Sequence, residues 1–359
     1  MKGLSSLRLG GVDCDIHPAL PSMTSLLPYL DDYWREQVTV RGIDGLDLSS
    51  FPYAIAANAR PDWRPDAGKP GATLDLLRTQ ALGPFGCQAA ICNPLYGVQA
   101  IHNPHFAAVV ARAMNDWIAA EWLDQEPRLR ASIVIAPQHV EQAVAEIERR
   151  AADPRFVQVL LLAMGESPLG KRGYWPIYEA AERHRLPIGV HAGSAAYHAL
   201  TGNGWPSYYL EDYVTNAQAF QSQLLSLVHE GVFAKYPALT VVFIESGFTW
   251  LPGFMWRANK TWRGMRAEVP WVDRPPSDII RDHVRFTLQP ADAPPDAASL
   301  ERVIDQIQSD DVLLFSTDYP HWQFDGTKAF PSGFPASLKQ KALVDNPLAT
   351  YPRLKETLQ

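Results

Sequence analysis

The chain has little cysteine, no basic block and no long apolar run, and each absence closes off a class of function. Three cysteines (Cys14, Cys87 and Cys92) cannot build a disulfide framework, and no two of them form a Cys-x-x-Cys pair that would suggest a cysteine zinc site. Cys14 and Cys92 fall in strand-like runs and are expected as buried free thiols of a reducing compartment. No cluster of lysine and arginine could track a phosphate backbone, and the net charge is −7 with a pI near 5.8, so nucleic acid is not an expected partner. No apolar stretch approaches the roughly 18 residues of a membrane span, and a leader-like beginning is missing. The expectation is a cytoplasmic protein without a membrane partner. A Gly-x-Gly-x-x-Gly turn after the first strand is also missing, which counts against an open, doubly wound dinucleotide fold.

What the chain does have is rhythm. Thirty prolines punctuate it into short elements, many of them at the ends of apolar runs (Pro18, Pro94, Pro137, Pro290, Pro320). Strands are predicted at 11–17, 87–92, 130–136, 156–162, 187–191, 240–245, 284–288 and 312–317. Helical patterns follow most of them, at 104–123, 138–151, 174–185, 215–230, 250–262, 297–308 and 336–345. Nearly continuous apolar strands separated by helices imply parallel pairing covered on both faces. Eight such units predict an α/β fold of the (β/α)8 TIM-barrel type, one domain spanning 1–359, with long insertions after strands 1 and 5. In that fold such loops hang over the C-terminal mouth, where active sites are built.

Polar residues break the apolar runs at one end only. In "GVDCDIHP" Asp13, Asp15 and His17 alternate, so a regular strand would put all three on one face, toward the barrel interior. The fifth strand ends in His191, the sixth in Glu245, and the eighth runs into Asp318. Burying carboxylates and imidazoles together is costly unless something satisfies them, and a metal ion does so most commonly. Asp15, His17, His191, Glu245 and Asp318 are therefore the candidate ligands of a divalent metal: zinc first, manganese or iron as alternatives, one ion or two. His321, three residues past Asp318, is a candidate substrate-binding residue; His198 in the fifth loop is undecided, and the histidines at 102, 105, 139, 184 and 229 read as structural. Trp205, Tyr209, Trp250 and Trp322 sit in or next to loops that could wall an apolar site, and Arg60 and Arg64 in the first insertion could pair with a substrate carboxylate.

From "DCDIHP" through "GKRGYWPIYEAAERHRLPIGVHAGS" and "YPALTVVFIESGFTWLPGFMWR" to "LLFSTDYPH", the chain resembles the metal-dependent amidohydrolase superfamily. The likeness is to its amidohydrolase-related (type 2) branch, which contains the aminocarboxymuconate-semialdehyde and γ-resorcylate decarboxylases. The resemblance implies that the family's first-strand His-x-His falls on Asp15 and His17, its fifth-strand histidine on His191 and its eighth-strand aspartate on Asp318. Two positions depart from it: Asp15 replaces a histidine, and Glu245 stands where those decarboxylases carry a sixth-strand histidine. The fourth strand, "VQVLLLAMG", has no lysine for a bridging carbamate. Family members often form dimers, and a homodimer is compatible with the apolar helical surfaces.

Two reactions fit these ligands. Three carboxylates against two histidines would repel a carboxylate substrate and suit a metal hydroxide. The leading expectation is therefore hydrolysis of a small aromatic or apolar ester, thioester, lactone or amide. Asp318 would be the general base, with His191 and Glu245 assisting, and His321, Trp205 and Trp250 would bind the small-molecule substrate. The alternative is non-oxidative decarboxylation of a hydroxybenzoate-like or muconate-like acid.

Overall fold

Each predicted apolar run contains a short strand: β1 (Val12–Ile16), β2 (Ala89–Cys92), β3 (Leu129–Val134), β4 (Phe156–Leu162), β5 (Ile188–His191), β6 (Val241–Ile244), β7 (Val284–Thr287) and β8 (Leu313–Leu314). The computed structural model describes residues 10–45, 59–193, 199–324 and 329–358. The strands pair in parallel in the order β1 to β8. The chain beyond β8 returns to β1: Cys14 N–H donates to Phe315 O at 3.0 Å, Asp318 N–H to Asp15 O at 3.1 Å and His17 N–H to Tyr319 O at 2.7 Å. That seam makes the sheet a (β/α)8 barrel. Among the described residues, no helix is long and apolar enough to cross a membrane.

The covering helices begin where local chemistry satisfies their first N–H groups. Asn103 Oδ1 accepts from His105 N at 3.0 Å and Phe106 N at 3.1 Å, and Pro104 opens the helix Pro104–Ile118. The helix expected at 215–230 starts six residues earlier, at Tyr209–His229. The reason is Glu211, whose Oε2 accepts from Ser207 N at 3.0 Å and Tyr208 N at 2.8 Å and nucleates a turn in a stretch without apolar periodicity. The first insertion holds the helix Asp32–Arg41, capped by Asp31 and ended by Gly42 at φ 62°. Only Val38 of it is buried, so it carried no clear amphipathic signal.

Two irregularities decide what faces the interior. Between the pairs Asp13↔Ala90 and Ile16↔Cys92, β1 advances three residues while β2 advances two. This bulge changes the alternation, as extra residues in a strand do. The expectation that Asp13, Asp15 and His17 share a face is corrected accordingly. Asp13 accepts from Thr317 N at 2.9 Å, Thr317 Oγ1 at 2.6 Å and the Asp15 backbone N–H at 3.3 Å, and its side chain does not join those of Asp15 and His17. A matching skip on β4, between Ala131↔Phe156 and Ser132↔Gln158, sets Gln158 opposite Ser132.

A small apolar cluster joins Val12, Cys14, Ala89, Ile91, Val157, Val242, Ile244 and Leu314 with Tyr351 and Leu354. Only the barrel interior brings strands as far apart as β1, β4 and β6 into one such group. Val12 and Ala89 open their strands and Val157 and Val242 lie near their starts, so Tyr351 and Leu354 close the N-terminal end. All three cysteines are buried and free.

Candidate metal centre

At the opposite end, the strand termini turn polar side chains toward one point. His191 is the last residue of β5, and Glu245 follows β6 directly. Glu245 and Asp318 both adopt left-handed backbone, at φ 59° and φ 56°. For a residue with a Cβ that conformation costs on the order of 1–3 kcal/mol and persists where surrounding contacts hold it. Here Glu245 N–H donates to Thr287 Oγ1 at 3.0 Å, and Asp318 N–H to the Asp15 carbonyl across the seam. Strain of this kind gathers at active sites.

The side chains meet closely. His17 Nε2 lies 3.0 Å from Asp318 Oδ1, 3.3 Å from Asp15 Oδ1 and 3.5 Å from Glu245 Oε1. His191 Nε2 lies 3.5 Å from Glu245 Oε1 and 3.6 Å from Asp15 Oδ2. His321 Nδ1 completes the group, 3.2 Å from Glu245 Oε1 and 2.5 Å from Asp318 Oδ1. His17 Nδ1 donates to Asn93 O at 2.9 Å and His191 Nδ1 to Ala192 O at 2.5 Å. A nitrogen facing a carbonyl must carry the hydrogen, so each neutral ring presents its Nε2 lone pair to the cluster.

The electrostatics follow from this crowding. Burial disfavours charge on His17, but Asp15, Asp318 and Glu245 outweigh it and raise its pKa well above the ordinary value. Burial likewise opposes charge on His191 and His321, yet Glu245 and Asp15 raise the first, and Asp318 and Glu245 raise the second to about 9. Glu245 is held low against burial by His191, His17 and His321, and Asp15 by His17 and His191. Asp318 moves the other way: burial and the neighbouring Glu245 push it up to about 7.

Three buried polar atoms at this point have no hydrogen-bond partner: Asp15 Oδ2, His191 Nε2 and Asp318 Oδ2. Such orphans cost about 1–3 kcal/mol each unless something else satisfies them. Ligand atoms of Asp15, His17, His191 and Glu245 all lie within 4.8 Å of one another, as do those of His17, Glu245, Asp318 and His321. Imidazole nitrogens and carboxylate oxygens at this spacing fit a divalent cation of the zinc, manganese or iron class. The two groups share His17 and Glu245. None of the histidines at 102, 105, 139, 184 and 229 belongs to either group.

Glu245 also forms part of the wall of a cavity of about 630 Å³, with Ala192, Tyr209, Tyr213, Trp322 and Gln323 among its lining residues. Tyr213 and Gln323 carried no signal in the sequence, because an aromatic or amide on a helix or loop looks the same whether it faces core or cavity. Burial raises the Tyr213 pKa, and Glu245 and Asp318 raise it further, so its hydroxyl stays protonated beside the cluster. Trp250 packs its ring against Phe254 and Phe286 and donates Nε1 to Ser246 O at 2.9 Å; it does not line this cavity. Trp205 is 53% exposed and is also absent from the lining. Arg60 is held by Asp62 and lies over Trp63, and Arg64 donates to Ala59 O. His198 lies outside the described residues.

The amidohydrolase family model matches residues 12–353, and the chain belongs to that family of enzymes. A gamma-resorcylate decarboxylase from Polaromonas sp. (strain JS666 / ATCC BAA-500) is 27% identical over 245 residues, 64% of this chain and 71% of the relative. Among solved structures, an amidohydrolase from Mycobacterium avium subsp. paratuberculosis K-10 aligns with a TM-score of 0.72 and 20% identity, covering 95% of this chain and 98% of the other. A dihydroxybenzoic acid decarboxylase from Polaromonas sp. JS666, with bound manganese and the inhibitor 2-nitroresorcinol, aligns with a TM-score of 0.65 and 20% identity over 96% and 97%. At that identity the two structures establish a shared fold.

Hydrolysis as the leading expectation is corrected here, since both of these relatives that are named for a substrate are decarboxylases. The physical error was in the charge count. It set three carboxylates against two histidines, whereas His321 makes a third and Asp318 is held partly protonated near neutrality.

Proposed function

We propose that this chain is a metal-dependent, non-oxidative decarboxylase of a hydroxybenzoate-like acid. The observation that carries the reading is the place of Asp318: its Oδ2 is buried without a hydrogen-bond partner, in the same cluster as Glu245, which lines the apolar cavity. Decarboxylation of an aromatic acid needs an acid that can give a proton to ring carbon, and a buried carboxyl crowded by a second carboxylate, which favours its protonated form, is suited to that task.

Asp15, His17, His191 and Glu245 would hold the ion, with Asp318 at its border. A bound divalent cation would supply positive charge for the substrate carboxylate and an adjacent phenol oxygen. Manganese suits the oxygen-rich donor set as well as zinc does, and it is the ion in the Polaromonas structure. Asp318 delivers its proton to the ring carbon, the bond from that carbon to the carboxylate breaks, and its electron pair remains on the ring as carbon dioxide leaves. His321, in contact with Asp318 and partly exposed, returns a proton to it from solvent. Tyr209, Tyr213 and Trp322 pack against the ring. No lysine or arginine is among the described residues lining the cavity, which favours a substrate whose only carboxylate is the one it loses.

The test incubates protein loaded with manganese or zinc with 2,6-dihydroxybenzoate, other hydroxybenzoates and a set of aryl esters. Carbon dioxide release that a strong chelator abolishes is expected. Acid release from the esters without carbon dioxide from any hydroxybenzoate would refute the reading.

A further inference from the structure

Below the cluster, the barrel interior holds a line of polar side chains, all fully buried: Asn93, Ser132 and Gln158, with Tyr351 at its lower end. Asn93 Nδ2 donates to Asp15 Oδ1 at 2.8 Å. Asn93 Oδ1 accepts from Ser132 Oγ at 2.6 Å and from Gln158 Nε2 at 3.2 Å. Gln158 Nε2 also donates to Ser132 Oγ at 2.8 Å, and its Oε1 accepts from Tyr351 OH at 3.1 Å. Every hydrogen in this chain points the same way, from the Tyr351 hydroxyl up to the Asp15 carboxylate. Aligned bonds in a dry interior strengthen one another.

Two further details show how the fold accommodates the line. The bulge in β4 sets Gln158 opposite Ser132. Gly189 on β5 leaves the space that the Gln158 amide fills, since a Cβ there would lie 2.4 Å from Gln158 Nε2.

We propose that Asn93 is the positioning residue of the metal centre, fixing how Asp15 and His17 face the cluster. Its side chain donates to Asp15 Oδ1 and fixes the rotation of that carboxylate, with Oδ1 3.3 Å from His17 Nε2 and the unpartnered Oδ2 3.6 Å from His191 Nε2. Its backbone carbonyl accepts the His17 Nδ1 hydrogen and leaves the Nε2 lone pair for the cluster. One residue thus fixes the rotation of Asp15 and frees Nε2 of His17, and Ser132, Gln158 and Tyr351 hold its side chain in one orientation. Partners behind metal ligands commonly change affinity by about 10- to 100-fold. The inference rests on the cluster being a metal centre, though not on which reaction it performs.

The experiment titrates Mn2+ into full-length, metal-stripped protein and follows free and bound ion by electron paramagnetic resonance. Asn93→Ala should weaken binding by about 10- to 100-fold and alter the bound-ion spectrum, because Asp15 is then free to rotate. Asn93→Asp should weaken it further, since a carboxylate would face Asp15. Tyr351→Phe removes one oxygen at the far end and should cause a smaller loss in the same direction; it carries the test if the Asn93 variants fail to fold. Wild-type affinity and spectrum in folded Asn93→Ala, or in Tyr351→Phe where Asn93→Ala does not fold, would overturn the role of Asn93 and leave the metal centre standing. No binding by the wild type would overturn both.

Discussion

The N-terminal end of the barrel is closed by apolar packing. There Val12, Ala89, Val157 and Val242 close around Tyr351 and Leu354, and Arg130 donates hydrogen bonds to the carbonyls of Pro127, Leu129 and Thr357. At the other end the same strands finish in Glu245 and Asp318 with left-handed backbone, and three buried polar atoms lack partners. One end stabilises the fold; the other holds strain and crowded charge that only a function explains. The line from Tyr351 to Asn93 connects the two, so the floor also serves the mouth.

This contrast can be broken from either side. The largest effect is expected at the mouth: Asp318→Asn should reduce carbon dioxide release by about 10²- to 10⁴-fold, the usual range for losing a positioned acid. Its urea midpoint should not fall, because the substitution removes a carboxyl crowded against Glu245; steady-state assays and urea titration of one preparation check both halves. At the floor the order inverts. Leu354→Ala should destabilise the chain by about 2–5 kcal/mol as a cavity opens in the core, while turnover per folded molecule is unchanged. A loss of activity in the remaining folded fraction would show that packing at the floor reaches the mouth by more than the line from Tyr351 to Asn93.

A smaller effect separates the metal-free and metal-loaded states. His321 is raised from 6.5 to about 9, and His17 and His191 are raised too. A group with a raised folded pKa contributes stability that is fully present below its unfolded value and lost as pH rises through its folded value. Metal-free protein should therefore melt at progressively lower temperature between about pH 6.5 and pH 9. Metal-loaded protein, whose liganding imidazoles are already neutral, should show a weaker slope. Parallel slopes in the two melting series would argue that the histidines do not face the ion.

Much of this was legible in the sequence because each signal was local. An apolar run ending in a single ionisable residue announces both a strand and its functional end, as His191, Glu245 and Asp318 do. The bulge in β1 was not legible, since an extra residue in a strand has no composition of its own, and so Asp13 was placed with Asp15 and His17. His321 was read as a substrate contact and not as a member of the cluster, because it follows Asp318 in an irregular turn where no period fixes direction. Leaving it out of the charge count then tipped the reading toward hydrolysis. Tyr213, Asn93 and Gln158 were passed over because an aromatic on a helix and amides in apolar strands also suit an ordinary core.

The most direct test of a decarboxylating metal centre follows the proton. Manganese-loaded protein is turned over in D2O with a panel of hydroxybenzoates including 2,6-dihydroxybenzoate, and the phenolic product is read by mass spectrometry and NMR. The account predicts one carbon dioxide and one ring deuterium per turnover, with the deuterium on the carbon that lost its carboxylate. Both should be lost on chelation and in Asp318→Asn. Undiminished turnover by protein stripped of metal, or by Asp318→Asn, would contradict it.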